Sequence, residues 1–292
     1  MSDPFRIAVL GDLHLCWTET DTAYFNDGSD YDLVLFVGDV AGYSHRQALA
    51  THRAIARVQT PKLLIPGNHD GVHVVQLIAE VFGSSAVSDL FHGLQRRRCE
   101  QLRGILGEEV LAGYTTHRYR RGETDFAILT GRPHSMGGSR LAFRRYLQSR
   151  FGIGSLADST RRLKELVDRC EAECVLFFSH NGPTGLGYRR SDIWGCDFRP
   201  QEGDFGDEDL YQAIDYAKAL GKRVLAVVAG HMHHAVKGGG RRQWLVEEDG
   251  TLYVNAARVP RIFRQNGHTY HHHVCLEVAG SGVRVEEKLV RG

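Results

Sequence analysis

Ile65-Pro66-Gly67-Asn68-His69-Asp70 closes an apolar run, Leu63-Leu64-Ile65, with a Pro-Gly pair and then three polar side chains in succession. Proline and glycine break the extended segment, so Asn68, His69 and Asp70 fall in a loop at the carboxyl end of a strand. In open α/β sheets that end is where ligands bind. An amide oxygen, an imidazole and a carboxylate delivered by one turn can hold a metal ion and move a proton beside it. Taken alone, the turn also admits a plain Asx-type reading. Its weight depends on what the rest of the chain brings to the same place.

Working outward, Phe5 to Leu10 is an apolar strand that runs into Gly11-Asp12-Leu13-His14. Two residues apart in an extended chain, Asp12 and His14 can point the same way. Asp32 to Val37 is apolar enough for a buried parallel strand and ends in Gly38-Asp39. Cys174 to Phe178 leads into Ser179-His180-Asn181-Gly182-Pro183, and Arg223 to Ala229 into Gly230-His231-Met232-His233-His234. Apolar periodicity predicts helices over 44–58, 72–82, 88–106, 140–151, 157–171 and 207–220, with Ser44 as an N-cap and Gly221 as a terminator.

Val110 to Tyr114 and Phe126 to Thr130 read as strands on either side of an Arg-rich loop, 117–122. The second empties into Gly131-Arg132-Pro133-His134-Ser135-Met136-Gly137-Gly138, where glycines allow close approach of a ligand and Arg132 and His134 suit a phosphate. From Gln243 to Val290, short β-like runs between Gly, Asp-Gly and Asn-Gly turns predict added antiparallel strands. Neighbouring residues in a strand face opposite sides, so His271-His272-His273 reads as a partly exposed strand and not as a metal site.

Composition bounds the function classes. Over 292 residues, 42% hydrophobic and 24% charged content is ordinary for a soluble globular protein, and one domain over residues 1–292 is expected. No apolar run is long enough to cross a membrane and no signal stretch is evident, which predicts a cytoplasmic protein without a membrane partner. Six cysteines without a Cys-x-x-Cys pair read as reduced thiols. Residues 96–162 hold 14 arginines against 6 acids, within an Arg-rich helical and loop segment at about 88–165. A solvated helix face accounts for such a run, and an anion-binding wall is the sharper alternative.

Asp12, His14, Asp39, Asn68, His180, His231 and His233 thus each follow a strand-like run. Two carboxylates and four imidazoles exceed what one tetrahedral ion can use. They suit two divalent ions ~3.5–4 Å apart with a bridging carboxylate. Oxygen and nitrogen donors without thiolate favour Mn, Fe or Zn, and Mg fits histidine less well.

In order and spacing, Gly11-Asp12-Leu13-His14, Gly38-Asp39, Gly67-Asn68-His69-Asp70, His180 and Gly230-His231-Met232-His233 resemble the five blocks of the calcineurin-like metallophosphoesterases. The resemblance implies an α/β fold, a four-layer αββα sandwich, with a dinuclear site at the sheet edges. It implies that Asp12, His14 and His233 hold one metal, that Asn68, His180 and His231 hold the other, and that Asp39 bridges them. His69 would protonate the leaving group, with Asp70 orienting it, while the metals activate a water for attack on phosphorus. Val40-Ala41-Gly42 replaces the Asp-Arg-Gly signature of relatives that cleave phosphoproteins, and His69 stands where the lipid A pathway hydrolases usually carry arginine. Both readings lose ground. The runs at 131–138 and 179–187 look similar to a poorly characterised subgroup of the family.

The expected function is a metal-dependent phosphoric ester hydrolase acting on a small-molecule phosphate ester. It leans to monoesters, because a bidentate contact from Arg132 gains more from a dianion. A phosphodiesterase or nuclease served by the basic segment is the alternative, although a nucleic-acid partner is not favoured. A noncatalytic scaffold of the same fold is the alternative from another class, and the complete set of expected residues weighs against it.

Overall fold

The computed structural model describes residues 3–199 and 201–292. Its first half alternates strand and helix: β1 (Phe5–Leu10), α1 (Glu19–Asp27), β2 (Leu33–Phe36), α2 (His45–Ala56), β3 (Lys62–Leu64), α3 (Val74–Val81), α4 (Ser85–Leu90) and α5 (His92–Leu106). The second half runs β4 (Thr116–Arg121), β5 (Thr124–Thr130), α6 (Arg144–Phe151), α7 (Leu156–Arg169), β6 (Cys174–Phe178), α8 (Glu208–Ala219) and β7 (Arg223–Ala229). It closes with β8 (Leu245–Glu248), β9 (Thr251–Asn255), β10 (Ile262–Gln265), β11 (His268–Ala279) and β12 (Gly282–Arg291).

Among the described residues these strands form two six-stranded sheets, one ordered β10-β11-β1-β2-β3 with β12 on β11, the other β4-β5-β6-β7-β9-β8. Pairing is parallel across β1-β2-β3 and across β5-β6-β7-β9, so the helical crossovers cover the outer faces. Alternation within each strand builds the layers. Ile7, Val9, Leu35 and Leu63 meet Phe126, Ile128, Leu176 and Val228 between the sheets. Ala8, Leu10, Val34 and Phe36 turn to the other side and pack on Phe25 of α1 and Ile55 of α2. Leu129, Phe177 and Val227 pack on Leu147, Leu163 and Ala213 from α6, α7 and α8. The result is the expected αββα sandwich.

Several local expectations are corrected. The 117–122 segment is not a loop but β4, an edge strand whose Arg118 pairs with Asp125 across the hairpin and with Glu171. Charge on such an edge guards it against further pairing and hides its strand character from an apolar pattern. The helix expected over 88–106 is two helices broken at Phe91, and the one expected from 140 begins at Arg144, after Phe143 takes a left-handed turn at φ 52°. Val110–Tyr114 is reduced to one bridge, Leu64 to Leu111. The C-terminal strands are not all antiparallel, since β9 lies parallel to β7. His271, His272 and His273 do lie in a strand, but it is buried between β1 and two further strands. Each ring meets its own partner there, Asp21, Glu287 and the Tyr31 hydroxyl respectively.

Candidate metal centre

All seven candidate ligands lie just past the carboxyl ends of parallel strands: Asp12 and His14 after β1, Asp39 after β2, Asn68 after β3, His180 after β6, His231 and His233 after β7. To turn inward there, Asp12, His14, Asp39 and His231 adopt left-handed backbone conformations with φ between 37° and 69°. Such conformations cost ~1–3 kcal/mol each in non-glycine residues and cluster at functional sites. Two glycines make room. A Cβ on Gly67 would lie 2.2 Å from Asp39 Oδ1, and one on Gly230 would lie 2.5 Å from Asp12 Oδ1.

Two groups of donors result. Asp12, His14 and His233 place ligand atoms within 4.8 Å of one another, as do Asp39, His180 and His231. In the first, the Nε2 atoms of His14 and His233 are 3.1 Å apart, and His233 Nε2 lies 3.3 Å from Asp12 Oδ2. In the second, His180 Nε2 is 3.0 Å from Asn68 Oδ1 and 3.7 Å from Asp39 Oδ1. The blocks are tied together through their backbones: Asp39 Oδ1 accepts the His69 N–H at 2.8 Å and Asp12 Oδ1 the His231 N–H at 3.1 Å. His180 Nδ1 donates to the Val37 carbonyl at 2.6 Å, which aims Nε2 inward, as an outer-shell partner does for a ligating imidazole.

These residues fit a metal. Asp12 Oδ2 and His231 Nδ1 are buried without a hydrogen-bond partner. Donors on a tetrahedral ion with bonds of ~2.0–2.1 Å are about 3.3 Å apart, the spacing seen in the first group. Without an ion the charges balance among the side chains themselves: although burial opposes it, Asp39 raises His180 and Asp12 raises His233 above the ordinary imidazole range, protons that a bound cation would displace. Burial opposes ionisation of Asp12 and Asp39, yet neighbouring imidazoles, His233 for the first and His180 for the second, hold both carboxyls below their ordinary range. Burial and the nearby His180 push His231 down to about 3, leaving it neutral as a ligand must be.

The remaining expected residues divide. His69 is half-buried on the wall of the central cavity, its ring edge-on to His14 and Tyr43 at centroid distances of 5.2 and 5.6 Å, with no side-chain hydrogen bond among the described residues. Asp70 does not orient it. Its carboxylate is buried and accepts the Ala41 and Gly67 N–H groups, each at 2.9 Å, so it pins the Asn68 turn to the Asp39 loop.

Arg132 and His134 are also corrected. Arg132 is buried, with Nε and Nη2 committed to Asp209 and Asp207 at 2.9 and 2.8 Å, and it does not face the cavity. His134 is buried behind the Asn68 turn, where Nδ1 donates to the Gly67 carbonyl at 2.9 Å. Both brace the site instead of meeting a substrate. The cations that do line the cavity, Arg140, Arg144, Arg199 and Lys237, were not singled out from sequence. Arg140, Arg199 and Lys237 belong to loops with no motif of their own, and Arg144 opens α6.

The family model for calcineurin-like phosphoesterases matches residues 5–235. No curated protein matches the chain significantly by sequence. Among solved structures, phosphopantetheinyl hydrolase from Mycobacterium tuberculosis is 12% identical with a TM-score of 0.47, covering 89% of this chain and 92% of that one. A protein serine/threonine phosphatase from Saccharomyces cerevisiae is 10% identical with a TM-score of 0.38, covering 98% and 80%. Vacuolar protein sorting 29 from Cryptosporidium parvum is 8% identical with a TM-score of 0.31, covering 99% and 100%. With a family match over most of its length, the chain belongs to the calcineurin-like phosphoesterases.

Proposed function

We propose that the protein hydrolyses phosphomonoesters of small molecules at a dinuclear metal centre. The observation that carries this reading is the convergence of two donor groups, Asp12/His14/His233 and Asp39/His180/His231, beside an imidazole, His69, that packs on His14 and Tyr43 but, among the described residues, makes no side-chain hydrogen bond. Asp12, His14 and His233 would hold one ion, Asn68, His180 and His231 the other, and Asp39, grouped with His180 and His231, would reach across to serve both. Bound there, two divalent ions, Mn, Fe or Zn by the donor chemistry, supply positive charge to the phosphoryl oxygens and acidify a water.

The chain's own residues do the rest. His69 delivers a proton to the departing oxygen from the cavity wall. Asp70 and His134 hold the Asn68 turn in place from behind. Arg140, Arg144 and Lys237 line the same cavity and take the part first expected of Arg132, favouring a dianionic monoester over a monoanionic diester. Among the described residues no helix is long and apolar enough to cross a membrane.

The test is metal analysis of the purified protein joined to kinetics on p-nitrophenyl phosphate and bis-p-nitrophenyl phosphate. Two equivalents of metal, activity abolished by chelation and restored by Mn, Fe or Zn, and preference for the monoester are expected. Preference for the diester, or salt-sensitive cleavage of nucleic acid, would replace the monoester reading. Absence of any hydrolysis at full metal loading would favour the scaffold.

A further inference from the structure

The cavity over the candidate metal centre has a volume of about 1390 Å³. Pockets for drug-sized ligands span ~300–1,000 Å³, so this one holds far more than a phosphoryl group. Its walls are apolar on two sides. On one, Leu77 and Val81 of α3 stand with Leu141 from the loop before α6. On the other, Phe198, Phe205 and Val236 come from the loops before α8 and after β7.

Both walls are built, not loosely draped. Glu80 of α3 accepts the Phe143 N–H at 2.9 Å and a hydroxyl bond from Ser88, while Arg140 donates to the Glu80 carbonyl at 2.8 Å. Phe205 is held by its own backbone, through Trp194 at 3.1 Å and Asn181 at 2.7 Å, and meets Phe198 edge-on at 4.9 Å. The Arg199 guanidinium lies 4.9 Å over the Phe205 ring. A small hydrophilic ester would leave these surfaces facing water.

We propose that the substrate's alcohol portion is apolar, a long alkyl chain or an extended ring system, seated between α3 and the Phe198–Phe205 pair with its phosphate at the metal centre. The inference rests on the phosphoesterase reading and names its substrate class. The placement of the apolar walls favours such an occupant. The apolar walls are continuous with Asn68, His69 and His233, which line the same cavity, so a phosphate placed there points its ester group along them. The charged lining is mixed, Arg140, Arg144, Arg199 and Lys237 with Glu80, Asp89, Asp197 and Asp204, so the apolar surfaces and not net charge single out the occupant.

Straight-chain alkyl phosphates test this, because lengthening the chain from ethyl to octyl hardly alters the leaving-group pKa and leaves the chemistry constant. On the metal-loaded protein, with every ester below its aggregation threshold, kcat/KM should rise at least about tenfold from ethyl to octyl phosphate; full burial would give roughly fourfold per methylene. Val81→Asp and Phe198→Ala, at half-exposed positions, should each cut the octyl-to-ethyl ratio at least threefold. The ratio is read within each variant, so a loss common to both esters cancels. Calorimetry on the same protein should show octylphosphonate binding more tightly than ethylphosphonate, with a more negative heat-capacity change.

A flat chain-length series, ratios unmoved by both substitutions, or a rise that appears only above the aggregation threshold would overturn the proposal. If p-nitrophenyl phosphate is turned over while the alkyl series is flat, the phosphoesterase reading stands and the substrate class alone fails. If no ester is hydrolysed at any chain length, both fail together.

Discussion

Asp39 meets several demands with one carboxylate: Oδ1 accepts the His69 N–H, lies 3.7 Å from His180 Nε2, and occupies space that Gly67 leaves by having no Cβ. Asp39→Asn keeps the shape but removes the charge that the proposed bridging role requires. We expect kcat/KM to fall at least a hundredfold and metal content to drop below two equivalents; an active variant with two metals would refute the bridging role. Gly67→Ala places a methyl 2.2 Å from that oxygen and 2.6 Å from His180 Cε1, and should cost metal binding although every ligand residue is kept, read by elemental analysis. His69→Ala should retain both metals and lose ~10²–10⁴ in rate on alkyl esters, less on p-nitrophenyl esters, whose leaving group needs little protonation. Equal losses on the two would count against acid catalysis. The metal-ligand candidates were legible at this scale because each follows an apolar run and a small residue. Arg132 was misread for a physical reason: its partners, Asp207 and Asp209, lie 75 and 77 residues away, and only the fold reveals that they bury it.

At the scale of elements, the strands that carry the site were legible because each is apolar on both faces and is closed by Gly, Pro-Gly or a small polar residue. What escaped was whatever departs from that pattern. β4 is charged because it is an edge, and α1 has little apolar face, although Thr18 and Asp21 form a capping box that marks its start. The loops after β5 and β6 and before α8 are joined by a network that no local pattern foretells: Asp207 accepts from Arg132, from Ser135 at 2.6 Å and from Asn181 at 3.4 Å. Arg132→Ala strands two buried carboxylates, and losing one partner of a buried ion pair costs ~3–5 kcal/mol. The expected result is a matching loss in urea denaturation with KM per folded molecule unchanged. A raised KM at intact stability would return Arg132 to the substrate site.

Across the whole molecule, part of the positive excess of residues 96–162 is met by acids from elsewhere once the chain is folded: Asp32 pairs with Arg121, Glu171 with Arg118, and Asp207 and Asp209 with Arg132. Arg103, Arg120, Arg150 and Arg161 pair instead with acids of the segment itself, Glu108, Asp125 and Asp158, and are spread over α5, β4, α6 and α7. A sum over sequence cannot show where its terms end up. Burial of imidazoles is also a property of the whole fold, and it sets the protein's response to acid. Burial pushes His134 and His234 down to about 4 and His273 down to about 3. Unfolded, each takes up a proton near pH 6.5, whereas folded it stays neutral until the pH is far lower. The unfolded state therefore binds more protons in between. These three groups give their full stabilisation above about pH 6.5, and each loses about 1.4 kcal/mol per pH unit as the pH falls through the window below it. His273, whose ring meets the Tyr31 hydroxyl 2.7 Å away and far from the candidate ligands in sequence, isolates the effect. In chelated protein, the stability of His273→Gln measured by urea between pH 7 and 5 should fall less steeply than wild type by about that slope. Parallel curves would mean that His273 is already charged in the native state, or is never charged in either.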